Sequence, residues 1–217
     1  MRRVPWEDAG GRSVAEVAEV VRGGGVAVVP TDTLYGFTAR FDAEAAVERV
    51  AALKGRDEQS PFLLLVSDLA SLGRLAREWP PRTVLDQLWP GPVTVLCAGR
   101  PEIGARFLGA RGTIAVRWPR APVLVELLQA IAVPVLSTSV NRAGQPPLTD
   151  PAEIAAEFGP GIDLLADGGL RRGAPSAIVD VSRRPPVLLR PGPEPIDLNA
   201  LERRWQRAEQ TPESGVP

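Results

Sequence analysis

The chain has 217 residues, 44% of them hydrophobic, with 25 Lys and Arg against 26 Asp and Glu for a net charge of -1. That length suffices for one large core, and the near-neutral balance excludes the global pull on nucleic acid that a strongly basic chain exerts, so any basic site must be local. Histidine is absent and Cys97 is the single cysteine, which rules out an intrachain disulfide, a Cys/His zinc site and a histidine-based triad.

Two arginines near the N-terminus soon meet Trp6-Glu7-Asp8 with no apolar segment behind them, and no apolar run reaches the ~18 residues of a membrane span. A cytoplasmic protein without membrane contact is expected. Ser13-Val14-Ala15-Glu16 reads as a capping box, and Val14, Val17 and Val21 share a helical face until Gly23-Gly24-Gly25 stops the helix. Val26 to Val29 reads as a buried strand ending at Pro30. The polar run Thr31-Asp32-Thr33 then falls at a strand's C-terminal end, where open α/β sheets place ligands. A second helix is expected from a cap near Asp42 to Gly55, a strand at Phe62 to Val66, and a helix capped by Ser67 or Asp68 running to about Arg77. Strands follow at Val93 to Cys97, after the turn Trp89-Pro90-Gly91-Pro92, and at Thr113 to Arg117. Ala121 to Ile131 is a helix, Pro134-Val135-Leu136 feeds the hydroxyl run Ser137-Thr138-Ser139, and Asp150-Pro151-Ala152-Glu153 starts another helix. Ile162 to Ala166, Ala177 to Val181 and Val187 to Leu189 complete the strands. The alternation predicts a layered α/β domain over residues 1–195 with a parallel or mixed sheet. A polar tail over 196–217 carries a short helix at Leu198 to Arg207 and frays from Thr211.

Lys54 is the only lysine and Tyr35 the only tyrosine. At about 100° per residue, Lys54 falls between Val47 and Val50 on the face that the second helix should bury, so it either snorkels to water or meets an anion. Arg56 follows just past Gly55, and a phosphate between the two cations would receive charge-assisted hydrogen bonds. Three hydroxyls and an amide leaving a buried strand at Ser137 to Asn141 are poor packing but good ligand donors, whereas Trp89 to Pro92 reads equally well as a rigid turn.

Six pieces occur in one order: Pro30 to Gly36 (PTDTLYG), Lys54-Gly55-Arg56, Trp89 to Thr94 (WPGPVT), Ser137 to Asn141 (STSVN) with Gly144, Pro175 to Asp180 (PSAIVD) and Leu189 to Gly192 (LRPG). Together, from about Val14 to Gly192, they resemble the YrdC-like threonylcarbamoyl-AMP synthases. The resemblance implies a YrdC/RibB-like twisted mixed sheet flanked by helices around a concave cavity. It also implies an enzyme that forms threonylcarbamoyl-AMP and pyrophosphate from L-threonine, bicarbonate or CO2, and ATP, for threonylcarbamoyladenosine modification of tRNA. Position by position, it implies that Lys54 and Arg56 are catalytic and, with Thr113, Ser139, Asn141 and Arg190, bind ATP. Thr31, Thr33, Tyr35, Arg117, Ser137 and Ser176 would bind threonine. No protein metal site is implied; Mg2+ would arrive with ATP. Two departures stand out: Ser60-Pro61-Phe62 replaces the Lys-Pro-Leu common in relatives, and only about 25 residues follow Gly192, as in the short form of the family.

A threonine carbamate already carries an anionic nucleophile, so the demanding step is attack on the α-phosphate, which positioning and charge stabilisation catalyse. Mg2+ keeps several waters and leans on substrate phosphates, which suits a histidine-free site. The rivals are an RNA-binding module built on the same concavity, disfavoured by the net charge, and a paralogue without synthase activity. Direct RNA binding is expected to be weak or absent, with the downstream tRNA threonylcarbamoyl-transfer machinery as partner.

Overall fold

The computed structural model describes residues 1–6, 11–55 and 61–210. In chain order the elements are β1 (Arg2–Pro5), α1 (Arg12–Arg22), β2 (Ala27–Pro30), β3 (Tyr35–Arg40), α2 (Glu44–Lys54), β4 (Leu63–Leu65), α3 (Leu69–Leu75), β5 (Ala76–Glu78), α4 (Arg82–Leu85) and β6 (Val93–Gly99). They continue with β7 (Thr113–Arg117), α5 (Pro122–Ile131), β8 (Val135–Ser139), α6 (Pro151–Phe158), β9 (Leu164–Asp167), β10 (Ala177–Asp180), β11 (Val187–Arg190) and α7 (Leu198–Gln210). The strands form one mixed sheet in the order β1-β9-β2-β3-β8-β4-β7-β6-β10-β11, with β5 paired to β6. The expected α/β architecture is therefore present, and among the described residues no helix is long and apolar enough to cross a membrane.

Side chains alternate across the strands, so each face has its own core. One face buries Val28, Phe37, Leu64, Val95, Leu136 and Leu165 against Val47 and Val50 of α2 and Ile154 and Phe158 of α6. The other buries Ala27, Val29, Leu65 and Val135 under Val14, Val17 and Val21 of α1 and Leu124, Leu127 and Leu128 of α5. Along β8, Val135, Ser137 and Ser139 point to this second face; the valine lies beneath α5, and the two serines line an open cavity. The sheet's chemistry changes where the helical cover ends.

Several local expectations change. Helix α1 starts two residues earlier than the capping box implied, with Gly11 at the N-cap; Ser13 therefore sits inside the first turn, its hydroxyl buried without a partner among the described residues. Asp42 does not cap α2, because its carboxylate is clasped by Arg40 at 2.8 and 2.7 Å, and Ala43 takes that position. Asp68 and Asp150 do cap α3 and α6, accepting from Ser71 N and Ala152 N. Helix α3 stops at Leu75 rather than near Arg77, because Ala76–Glu78 is drawn into pairing with β6. The C-terminal helix runs to Gln210, buries Leu201 and receives Arg184, which pairs with Glu202 and Glu209 and lies 4.3 Å over the Trp205 ring. The expected fraying from Thr211 lies outside the described residues.

Candidate functional site

Four adjacent strands, β3, β8, β4 and β7, supply the floor of the site. The register sets Gly36 of β3 beside Ser139 of β8, and Leu63 of β4 beside both Ser137 and Ala115. Above them is a cavity of about 390 Å³, within the range typical of small-molecule sites. A Cβ on Gly36 would lie 2.9 Å from Ser137 Oγ and 3.6 Å from Thr31 Cγ2, so the glycine maintains that space.

The turn between β2 and β3 forms one wall. Thr31 Oγ1 accepts from the backbone N–H groups of Thr33 and Leu34 at 3.1 and 3.2 Å and lies 2.7 Å from Leu34 O, to which it donates. This folds the Thr31–Leu34 segment back on itself and presents Asp32 and Thr33 to the end of β7. There Arg117, 3% exposed, donates from Nη2 to Asp32 Oδ1 at 2.7 Å and from Nη1 to Thr33 Oγ1 at 3.1 Å. Its Nε is buried with no partner among the described residues, a state that costs about 1–3 kcal/mol until something accepts from it. Burial draws the Arg117 guanidinium below its ordinary range, Asp32 opposes that shift, and the nearby charge of Arg190 adds to it.

The far wall comes from β6, β10 and β11. Thr94 and Ser176 share a hydrogen bond of 2.8 Å between their hydroxyls. Arg190 donates from Nε and Nη2 to Ser176 O at 3.1 and 2.9 Å, leaving Nη1 without a protein partner among the described residues. Burial lowers its pKa as well.

Lys54 is indeed buried, at 4% exposure, but it stands behind the cavity wall. Its Nζ donates to Ser139 O at 2.6 Å, Asn141 O at 3.1 Å and Asn141 Oδ1 at 3.0 Å. Ser139 Oγ donates to the same Oδ1 at 2.6 Å, and Asn141 Nδ2 donates to the carbonyls of Arg142 and Gln145. The buried face of α2 thus sets the lysine against Ser139 and Asn141, with the ammonium bracing the turn that presents them.

Of the residues singled out in the sequence, Thr31, Thr33, Tyr35, Arg117, Ser137, Ser139, Asn141, Ser176 and Arg190 line this one cavity. Tyr35 has its hydroxyl committed elsewhere: it donates to Gly169 O and accepts from Gly168 N, both at 2.8 Å. Thr113 shares a face with Ala115 and Arg117 but opens β7, about 13 Å from Arg117 at ~3.3 Å per residue, and is not part of the lining. Arg56 and Ser60 lie outside the described residues. Sequence reasoning missed Asp32 and Thr94, although both stood inside motifs already noted; a carboxylate at the end of a buried strand was the available signal for Asp32.

The Sua5/YciO/YrdC family model, described as telomere recombination, matches residues 19–192. The chain belongs to the Sua5/YciO/YrdC family. It is similar to a threonylcarbamoyl-AMP synthase of Nitrosococcus oceani, 34% identical over 166 residues that make up 75% of this chain and 90% of the relative. A threonylcarbamoyl-AMP synthase of Pyrococcus abyssi is 32% identical over 183 residues, 83% of this chain, and the chain spans 54% of that relative's length. The crystal structure of P. abyssi Sua5 complexed with L-threonine superposes with a TM-score of 0.81 at 30% identity, covering 94% of this chain and 60% of the other.

Proposed function

We propose that this protein joins L-threonine, bicarbonate or CO2, and ATP into threonylcarbamoyl-AMP and pyrophosphate, the donor for threonylcarbamoyladenosine modification of tRNA. The observation that carries the reading is the meeting of Arg117, buried with its Nε unpaired among the described residues, and the Ser139–Asn141 turn in one hydroxyl-lined cavity. The first suits an amino-acid carboxylate and the second a chain of phosphate oxygens. The L-threonine complex of the P. abyssi relative supports the same assignment.

On this reading Arg117 takes the threonine carboxylate, and Thr31, Thr33, Ser137 and Ser176 surround the rest of the amino acid. Tyr35 acts by fastening the loop ahead of Ser176. The amine adds to CO2 and loses a proton, giving a carbamate; its oxygen then attacks the α-phosphorus of ATP while the bond to the bridging oxygen breaks and pyrophosphate leaves. Ser139, Asn141 and Arg190 hold the phosphates, with Arg56 as a further cation, Lys54 fixing the turn behind them and Thr113 a more distant nucleotide contact. Fixed donors of this kind lower the barrier because they need no rearrangement as charge shifts toward the leaving group.

The cavity's side-chain oxygens are mainly hydroxyls and the amides of Asn141 and Gln145, while the Asp32 carboxylate, outside the lining, is engaged by Arg117 and by Arg120 N. That donor set fits a Mg2+ that keeps its waters and travels on the nucleotide; Ser139 and Asn141 are the residues that would face it. When bound, the ion would neutralise phosphate charge. On this reading the protein works in the cytoplasm, where ATP, tRNA and the transfer machinery meet, with little direct affinity for RNA. The test is to incubate purified protein with ATP, L-threonine and labelled bicarbonate. Labelled threonylcarbamoyl-AMP with matching pyrophosphate is expected; pyrophosphate release that ignores threonine and bicarbonate would refute the proposal.

A further inference from the structure

We infer that Asp32 is a positioning residue for substrate recognition: it pins the tip of the Arg117 guanidinium so that the Nε edge stays available to a substrate carboxylate. The inference rests on the proposed function. Arg117 and Thr33 line the cavity and Asp32 does not, so Asp32 acts through its neighbour. Its Oδ1 receives Arg117 Nη2 at 2.7 Å, while Oδ2 receives the backbone N–H of Arg120 at 3.1 Å. The carboxylate is therefore itself anchored to the chain that follows β7. Thr33 Oγ1 holds Nη1 at 3.1 Å, so both tips of the fork are fixed. The remaining Nε–H is buried and unpartnered among the described residues.

An arginine binds a carboxylate through two parallel N–H donors, either the two tips or one tip and the Nε edge. Here the protein occupies the tips one at a time and leaves the edge. A carboxylate competing for the ligand's place would bridge Nε and Nη2, which Asp32 does not do. Holding a long side chain in its binding orientation before the ligand arrives removes part of the ordering cost of binding.

Asp32→Asn tests this with little change of volume, because an amide offers one acceptor oxygen where the carboxylate serves two donors. Calorimetric titration of wild type and variant with L-threonine, L-threoninamide and ATP is the measurement. L-Threonine affinity is expected to fall at least about tenfold, ATP affinity to stay within about twofold, and the preference for threonine over its amide to shrink. Unchanged or tighter threonine binding, equal weakening of threonine and ATP, or an unchanged preference for the carboxylate would overturn the inference. Should the asparagine variant fail to fold, Asp32→Glu, which keeps the charge but moves the carboxylate one carbon further along, is judged by the same three readings. Wild-type protein that binds no threonine would overturn the functional proposal and this inference together. Wild-type binding with normal discrimination in the variant overturns the inference alone.

Discussion

Replacing Lys54 with methionine keeps most of the buried stem and removes the ammonium, which makes it the sharpest probe of the cavity wall. Nζ touches Ser139 O, Asn141 O and Asn141 Oδ1. Hydrogen bonds from a charged donor are worth about 1.5–3 kcal/mol each. They cannot simply be summed, since two of the acceptors belong to one residue and an apolar substitute recovers the cost of burying a cation. A net loss of about 2 kcal/mol follows, or roughly 4–8 °C in Tm for a domain of this size. The Ser139–Asn141 turn should loosen with it, so ATP affinity should fall as well. Thermal melting with and without ATP, beside Lys54→Arg, is the assay. Arginine keeps the charge but presents a broad fork where a compact ammonium reaches three oxygens, so it should restore only part of the loss. Lys54→Met melting within about 1 °C of wild type while losing ATP binding would refute the bracing role and restore a direct grip on phosphate.

Gly36→Ala should cut threonine affinity more than about tenfold while changing stability by less than about 1 kcal/mol, since its Cβ would enter the cavity 2.9 Å from Ser137 Oγ; paired calorimetry and urea melts decide it. Burial pushes the Cys97 thiol from 9.0 up to about 12, so native protein should resist a thiol reagent at about pH 8 and react once unfolded. Because the folded value is the higher one, this group's contribution to stability is full below about pH 9 and lost as pH rises toward 12; Cys97→Ala should soften that alkaline decline in urea melts. Tyr35→Phe should cost about 1–3 kcal/mol and speed amide exchange at Gly168, because the hydroxyl ties Gly168 N and Gly169 O; unchanged exchange with weaker threonine binding would return the hydroxyl to a substrate role.

Local rules carried far where one element decides the outcome. The 3.6-residue period placed Lys54 among Val47 and Val50 on a buried face, and aspartates 68 and 150 cap as their spacing implied. What failed depends on distant partners. Arg2–Pro5 becomes a strand only because β9 offers it an edge, and Ala76–Glu78 leaves its helix for β6. Tyr35–Arg40 is absent from the expected strands, although Tyr35, Phe37 and Ala39 are all buried, because Gly36 weakens a strand signal. The Asp32–Arg117 pair joins residues 85 apart in sequence, and no periodicity reports such a contact. The hydroxyl of Tyr35 was legible as a polar group in a buried motif; its tie to the β9–β10 connection was not.

The pattern along β8 explains why this sheet can host polar chemistry without losing stability. A hydroxyl placed at Val135, beneath Leu124 and Leu128, would be stripped of water with nothing to bond, a cost of a few kcal/mol. Two and four residues further on, Ser137 and Ser139 face the cavity, where water or a ligand can satisfy the first and Asn141 Oδ1 already accepts from the second. Valine there would present an apolar floor to charged substrates. Arginine 117 follows the same logic at the end of β7: its buried charge is tolerable because Asp32 lies at its tip, and that carboxylate is itself held by the Arg120 amide. The uncovered strip of sheet must therefore be polar, and its polarity must be compensated from the turns at the strand ends, which is where the Thr31–Leu34 and Ser139–Asn141 segments stand.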